Sequence, residues 1–118
     1  ILSGVKINNF NKSKRVEIVK KIAANLGTTI LLKGNPDIIS NGKRVTINTT
    51  GNPYMTVGGT GDVLAGVLGS LLAQGLEAFK AANLAAYING KAGDLVAKEK
   101  GAGLMATDII DKLPEVIK

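Results

Sequence analysis

The chain has 118 residues, a formal net charge of +6, and neither cysteine nor histidine. This length suits one domain, and the missing cysteines exclude a disulfide scaffold and a cysteine-based zinc site. Because histidine, the commonest general base, is absent, catalysis would depend on carboxylates, lysines, hydroxyl groups and backbone amides. No signal peptide and no run of about 20 apolar residues is visible, which predicts a cytoplasmic protein without a membrane partner.

The positive charge is concentrated in the first part of the chain. Residues 1–44 carry nine of the 15 Lys and Arg residues and only two acidic residues. A basic segment could bind nucleic acid, but neither interleaved aromatic residues nor an arginine cluster accompanies it. A solvated, lysine-rich helix face is the favoured interpretation, and we expect no nucleic-acid partner.

The first predicted element is a helix that ends near Leu26. Asn11 or Ser13 can cap its start, and Gly27 is a natural stop. Its apolar residues recur at helical spacing, at Val16, Val19, Ile22, Ala23 and Leu26. Its basic residues are expected mostly on the opposite, solvent-facing side, at Lys14, Arg15, Lys20 and Lys21.

Three short strands are predicted after this helix. The segment 28–32 is mostly apolar and reads as a central strand. The segments 37–40 and 44–48 flank Asn41-Gly42, a strong signal for a tight hairpin. This antiparallel pair is expected to end one side of the sheet.

A glycine-rich loop then leads into an apolar helix at residues 63–73. Gly58, Gly59 and Gly61 lie just before it, where free backbone N–H groups and the helix dipole attract anions. Asp62 sits where the glycines end. Beside a bound phosphate, a carboxylate is useful mainly as a base, so the pattern predicts an anion cradle with one general base.

A purely structural interpretation of the same residues stays open. The glycines can serve tight packing, and Asp62 can cap the helix through an N–H bond. The pattern is neither a Walker P-loop nor a dinucleotide fingerprint. Within the helix, Gly66 and Gly69 suggest that another backbone approaches closely, because helix-interior glycine costs about 1 kcal/mol relative to alanine.

Two further helices complete the chain. The first spans residues 77–99, with Gly90 and Gly93 allowing close packing or a bend, and with Asp94 expected to be satisfied structurally. In the second, Thr107 is expected to cap a short helix over residues 108–113. The order of helix, strand, β-hairpin, buried helix, long helix and short helix is that of the C-terminal half of a layered α/β fold.

Residues 51–75, GNPYMTVGGTGDVLAGVLGSLLAQG, resemble the signature of the ADP/ATP-dependent NAD(P)H-hydrate dehydratases, a ribokinase-like family. LKGNPD at residues 32–37 resembles the family's nucleotide-contacting segment, and the likeness continues through YING at 87–90 and AGD at 92–94. The resemblance implies the C-terminal half of a ribokinase-like α/β fold. Residues 1–118 would form either a single domain or a C-terminal fragment of that domain.

The resemblance also implies a reaction. The family uses ADP or ATP to phosphorylate the hydroxyl of hydrated NADH or NADPH, and loss of phosphate restores the nicotinamide ring. A divalent metal, Mg²⁺, is expected with phosphoryl transfer, although no ligand constellation for it is visible. Two alternatives remain, a ribokinase-like kinase for a vitamin precursor or sugar, and a non-catalytic nucleotide-binding or assembly module.

Site residues follow from the resemblance position by position. Asp62 would be the catalytic base and contact the substrate. The anion hole would comprise Gly58, Gly59, Thr60 and Gly61. Nucleotide contacts would come from Lys33, Gly34, Asn35, Pro36, Asp37, Asn52, Pro53, Tyr54, Met55, Thr56 and Val57.

The chain departs from the family in lacking an upstream substrate-contacting segment that carries a histidine. By itself it is therefore expected to bind nucleotide weakly and to catalyse little. Exposed sheet edges predict either a homo-oligomer or association with a missing N-terminal half.

Overall fold

The computed structural model describes residues 11–117, and the chain divides into two compact units, Ile1–Asn48 and Thr49–Lys118. The first unit contains α1 (Lys12–Leu26), β1 (Ile30–Leu32), β2 (Asp37–Ser40) and β3 (Val45–Asn48). The second contains a 3₁₀ turn (Pro53–Thr56), α2 (Thr60–Ala73), α3 (Ala78–Lys100), a second 3₁₀ turn (Gly101–Gly103) and α4 (Ala106–Ile117). This order of elements is the predicted one.

Helix α1 begins and ends where its sequence predicts. The Asn11 side chain accepts a hydrogen bond from the Lys14 amide at 2.9 Å, and Gly27 ends the helix in the left-handed region at φ 62°. Two side chains differ from the prediction. Arg15 is buried rather than solvent-facing, and Leu26 is 54% exposed rather than part of the apolar face. Both residues lie near an end of the helix. There, contacts with the adjacent segments of the same chain decide burial, and the helical period does not.

The sheet is antiparallel, with strand order β1-β2-β3. The predicted hairpin is confirmed: residues 41–44 form its turn, and Gly42 has φ 92°. A Cβ atom at Gly42 would lie 2.7 Å from the Cα atom of Ala24, so the turn is seated directly on α1. Among the described residues β2 is the central strand, and β1 occupies an edge instead of the predicted central position. All four residues of β2 are buried because α1 and both other strands pack against it.

In the second unit, α3 packs against both α2 and α4. The core cluster lies between these helices and the preceding loop and comprises Met55, Val63, Ala92, Val96, Leu104 and Ile109. The predicted bounds of the long helix are confirmed to within one residue, and the side chain of Glu77 caps its first turn. None of the helices in residues 11–117 is both long and apolar enough to cross a bilayer.

Helix α2 is less buried than its apolar sequence predicts. Only Thr60, Val63 and Leu64 are buried, and Leu72 is 45% exposed. The helix contacts α3 and α4, which cover only part of its circumference. Gly66 and Gly69 have no atom within 4 Å of the position of an added Cβ, so the expected close backbone neighbour is not found among the described residues.

Helix α4 is longer than predicted and runs through Pro114. Thr107 lies inside it and is not its cap. Asp108 instead accepts a hydrogen bond from the Met105 amide at 2.9 Å. The helix continues past the proline because Leu113 and Val116 pack against the core cluster, which offsets the cost of proline in a helix, about 3 kcal/mol.

Candidate active site

The loop before α2 is held by two bonds to one carboxylate on α3. Asp94 accepts hydrogen bonds from the Gly51 amide at 3.1 Å and from Nδ2 of Asn52 at 2.9 Å. Gly51 has φ 106°, a backbone conformation that favours glycine. The expectation that Asp94 is satisfied structurally is confirmed, and one of its two partners, Asn52, belongs to the segment implied in nucleotide binding.

Two glycines of α3 let this loop approach the helix closely. A Cβ atom at Gly90 would lie 2.7 Å from the carbonyl carbon of Thr50, and one at Gly93 would lie 2.9 Å from Cγ of Met55. Met55 is buried in the core cluster. The close-packing interpretation of the two glycines is therefore confirmed, and α3 forms the support on which the loop rests.

The start of α2 presents backbone amides without a side-chain cap. Gly59 is the N-cap residue, with φ 95°, and it makes no side-chain cap hydrogen bond. The first N–H groups of a helix have no acceptor within the helix, and the helix dipole adds partial positive charge there. Apart from the adjacent residues and the helix's own backbone, no atom of residues 11–117 lies within 4 Å of the Cβ positions at Gly58 and Gly61. This geometry suits an anion such as a phosphate group.

Thr60 has a different role from its glycine neighbours. Its side chain is buried, and its hydroxyl oxygen lies 2.8 Å from the Met55 carbonyl oxygen and 3.2 Å from that of Val57. The hydroxyl therefore ties the loop to the first turn of α2. Only the Thr60 backbone amide is left to take part in an anion hole.

Asp62 lies in the first turn of α2 and is exposed. No hydrogen bond of its carboxylate is found in residues 11–117, so the alternative that it caps the helix gains no support. The carboxylate lines a groove of about 690 Å³, together with Gly59, Ala106 and Thr107. An exposed carboxylate beside open amides can accept a proton from a hydroxyl group that is placed at the start of the helix.

The other residues of the loop divide into outward-facing and buried side chains. Pro53, Tyr54, Thr56 and Val57 are exposed, with Tyr54 48% exposed. The Asn52 side chain is engaged on both sides, since its Oδ1 atom accepts from the Tyr54 amide at 3.0 Å. The Met55 side chain is in the core, so only its backbone could face a ligand.

The segment 33–37 belongs to the first unit. Lys33, Gly34 and Asn35 are exposed, and the Asn35–Pro36 peptide bond is cis. Asp37 is buried and uses both oxygens internally: it accepts the Gly34 amide at 2.9 Å and Nδ2 of Asn48 at 3.0 Å. Its carboxylate therefore shapes the turn after β1, whereas Lys33 is exposed.

Two contacts that hold these segments in place were not predicted from the sequence. The buried guanidinium of Arg15 lies under Gly34, where an added Cβ would be 3.2 Å from Cζ. The hydrogen bonds of Asp94 link residues more than forty positions apart. For the Asp94 bonds, the sequence offered only an indirect signal. Asp94 directly follows Gly93 on an alanine-rich helix face.

Among residues 11–117, no three His, Cys, Asp or Glu side chains lie close enough together to hold a metal ion. A metal that accompanies a nucleotide can take most of its ligands from phosphate oxygens and water. The exposed Asp62 carboxylate at the start of α2 could supply a single further oxygen.

The comparisons with known sequences agree on one family. A family model described as NAD(P)H-hydrate dehydratase matches residues 1–115. The bifunctional NAD(P)H-hydrate repair enzyme Nnr of Pyrobaculum aerophilum is 49% identical over 106 residues, which are 90% of this chain and 21% of that protein. The ADP-dependent (S)-NAD(P)H-hydrate dehydratase of Cenarchaeum symbiosum is 45% identical over 104 residues, 88% of this chain and 36% of that protein. The chain thus spans well under half the length of these relatives.

Solved structures support the predicted fold class. An ADP/ATP-dependent NAD(P)H-hydrate dehydratase from Bacillus subtilis, co-crystallized with ATP and Mg²⁺, matches with a TM-score of 0.87 and 36% identity, over 98% of this chain and 42% of that one. A ribokinase-like superfamily protein from Enterococcus faecalis matches with a TM-score of 0.80 and 33% identity, over 97% and 38% of the two chains. The mixed α/β, ribokinase-like fold is confirmed.

Proposed function

The chain belongs to the NAD(P)H-hydrate dehydratase family, and we propose that it carries the phosphate-holding and proton-accepting part of an enzyme that dehydrates hydrated NADH or NADPH with ADP or ATP. One observation carries the proposal. The open amides at the start of α2 and the exposed Asp62 carboxylate lie within one helical turn of each other. Phosphoryl transfer requires these two elements, charge stabilisation and a base for the attacking hydroxyl.

In this mechanism the backbone amides of residues 58–61 hold the oxygens of the transferring phosphate. Preorganised N–H donors act where negative charge develops, and removal of one such donor typically costs about 3 to 4 kcal/mol of transition-state stabilisation. Asp62 accepts the proton of the hydrate hydroxyl as that oxygen attacks the terminal phosphorus, and the bond from phosphorus to the bridging oxygen breaks, so that AMP leaves from ADP or ADP leaves from ATP. General-base assistance of this kind contributes roughly 10²- to 10⁴-fold. The phosphorylated intermediate then loses inorganic phosphate from one ring carbon and a proton from the adjacent one, and the new double bond restores the dihydronicotinamide ring of NADH or NADPH.

We propose nucleotide contacts for segment 33–37 of the first unit and, independently, for segment 52–57 of the second. The exposed Lys33 ammonium suits a phosphate group, and the exposed Tyr54 ring suits stacking against a base. Asp37 and Asn52 have side chains engaged in the protein, so we assign them to shaping the segments and leave ligand contact to their backbone atoms. Mg²⁺ would arrive with the nucleotide and neutralise charge on its phosphates.

We further propose that the chain represents the C-terminal part of a ribokinase-like domain acting in the cytoplasm. The exposed apolar side of α2 supports this, because Leu72 is 45% exposed and an added Cβ at Gly66 or Gly69 would meet no other element among the described residues. Other parts of the domain would cover that side. Hydrated NADH or NADPH is then the expected small-molecule partner.

The decisive experiment uses the full-length protein with hydrated NADH and either ADP or ATP. A dehydratase restores the near-ultraviolet absorbance of NADH and releases inorganic phosphate in equal amount. A reaction without nucleotide is the control. A small-molecule kinase would consume ATP in the presence of a vitamin precursor or sugar and restore no NADH. Failure to restore NADH with either nucleotide would contradict the proposed function.

A further inference from the structure

We infer that Asp94, on α3, is a positioning residue that sets nucleotide affinity through Asn52. The inference rests on the proposed function, since it concerns the loop implied in nucleotide binding. It begins from a single carboxylate on α3 that receives two donors from the loop, the Gly51 amide and the Asn52 side chain.

Asn52 links Asp94 to the rest of the loop through hydrogen bonds. While Nδ2 donates to Asp94, Oδ1 accepts the Tyr54 amide at 3.0 Å, and the Asn52 carbonyl accepts the Met55 amide at 3.1 Å. These two bonds close the 3₁₀ turn Pro53–Thr56. The orientation of the Asn52 amide group therefore helps to fix the backbone of the turn that carries the exposed Tyr54 ring.

The 3₁₀ turn Pro53–Thr56 also contacts the start of α2. Met55 is anchored in the core against Gly93, and its carbonyl oxygen lies 2.8 Å from the Thr60 hydroxyl. Thr60 is the first residue of α2 and part of the expected anion hole. A continuous path of hydrogen bonds and packing thus runs from Asp94 through Asn52 and Met55 to the amides beside Asp62.

The charge state at position 94 matters because both of its partners are donors. A carboxylate offers an acceptor to each of them. An asparagine in its place would offer only one acceptor, and its own NH₂ group would face the NH₂ group of Asn52. If Asn52 rotated to avoid this contact, its NH₂ group would face the Tyr54 amide instead. Asp94→Asn therefore leaves two donors opposed in every orientation.

An exchange of the two side chains restores every bond. With Asn52→Asp and Asp94→Asn together, one oxygen of residue 52 accepts the Tyr54 amide and the other accepts the new NH₂ group at position 94. The oxygen at position 94 still accepts the Gly51 amide. Asn52→Asp alone brings two carboxylates together and is expected to be the worst of the three variants.

The test compares the full-length wild-type protein, both single variants and the double variant, with Asp111→Asn on the exposed face of α4 as the control. We measure KM for ATP and kcat in the dehydratase assay, and Tm for each variant. Asp94→Asn is expected to raise KM for ATP about tenfold, because the loss of one part-buried hydrogen bond corresponds to a change of that size. Its kcat is expected to fall by less than about threefold. The double variant is expected to return KM to within about threefold of wild type.

An unchanged KM in Asp94→Asn, or a double variant no better than the worse single variant, would overturn the inference. Failure of the proposed function is recognised separately, because wild-type protein would then restore no NADH. In that case ATP affinity measured by calorimetry replaces KM. Recovery of ATP affinity and Tm in the double variant supports the inference, and loss of both in all three variants overturns it.

Discussion

The backbone of Thr50 passes so close to Gly90 that a Cβ atom at Gly90 would lie 2.7 Å from the Thr50 carbonyl carbon. The neighbouring atoms belong to the Thr50 side chain and to its main chain, and the main chain cannot rotate away as a long side chain can. Thr50 also reaches back to α3, with its hydroxyl oxygen 3.4 Å from the Tyr87 carbonyl oxygen. The loop that leads to the candidate active site is thus fixed at its first residues by a glycine on another element.

Gly90→Ala is expected to destabilise the protein. Alanine gains about 1 kcal/mol over glycine in a helix interior, but a methyl group forced into a filled space costs about 1 to 3 kcal/mol. Because the contact includes backbone, we expect a net loss of about 1 to 2 kcal/mol in chemical denaturation. Lys91→Ala, on the exposed side of the same helix, should change stability by less than about 0.5 kcal/mol. A Gly90→Ala protein more stable than wild type would show that the loop can move away.

Asp62→Asn is expected to remove turnover and spare nucleotide binding. The amide cannot accept the hydroxyl proton, so kcat should fall by roughly 10²- to 10⁴-fold. Binding of ATP, measured by calorimetry, should remain within about fivefold, because the variant keeps the open amides and removes a charge that repels phosphate. Asp111→Asn is the matched control and should retain wild-type kcat. Unchanged turnover in Asp62→Asn would exclude it as the base.

Gly59→Ala and Gly58→Ala should separate backbone strain from added bulk. Gly59 has φ 95°, and a Cβ atom there would lie 2.9 Å from Cβ of Ala106. The left-handed conformation costs a residue other than glycine about 1 to 2 kcal/mol, so Gly59→Ala should lower the free energy of unfolding by at least that amount. Gly58→Ala meets open space and should stay within about 0.5 kcal/mol of wild type. Equal losses in urea denaturation would contradict this assignment.

The contact between α3 and α4 predicts a specific pH dependence. A hydrogen bond from Lys100 at 2.7 Å, followed by the one from the Met105 amide, lowers the pKa of Asp108 below its ordinary value. A lowered pKa in the folded state adds stability that is present above the ordinary aspartate pKa and is lost as pH falls through the lowered value. Asp108→Asn should therefore have a lower Tm than wild type at neutral pH.

The difference in Tm between these two proteins should shrink on acidification, once Asp108 becomes protonated in the folded state. The same hydrogen bond raises the pKa of Lys100, whose contribution is present below the ordinary lysine pKa and lost as pH rises through the raised value. Thermal melts across the pH range measure both effects, the loss of the Asp108 contribution at low pH and the loss of the Lys100 contribution at high pH. A Tm difference that persists at the acidic end would assign the effect to the geometry of the first turn of α4 instead of to charge.

The sequence predicted those features of the fold that depend on neighbours in the chain. Asn11 caps α1 and Gly27 ends it, and Asn41-Gly42 turns the hairpin, because capping and turn formation involve residues only a few positions apart. The glycines at the start of α2 were predicted on the same local grounds, although the helix begins at Thr60 rather than Val63 and therefore includes Gly61 and Asp62, which the sequence placed before it.

What the sequence determined by itself is therefore the series of elements, their caps and the residues brought together at the start of α2. Tertiary structure decided which side chains are buried and which partners they contact. It placed Arg15 under Gly34 and left one side of α2 exposed. It also let α4 continue through Pro114 and brought Asp94 within hydrogen-bond distance of Asn52. The physical reason is that helical and strand periods specify which side of an element is apolar. Burial and hydrogen bonding depend on elements far away in the chain, whose approach no local pattern encodes.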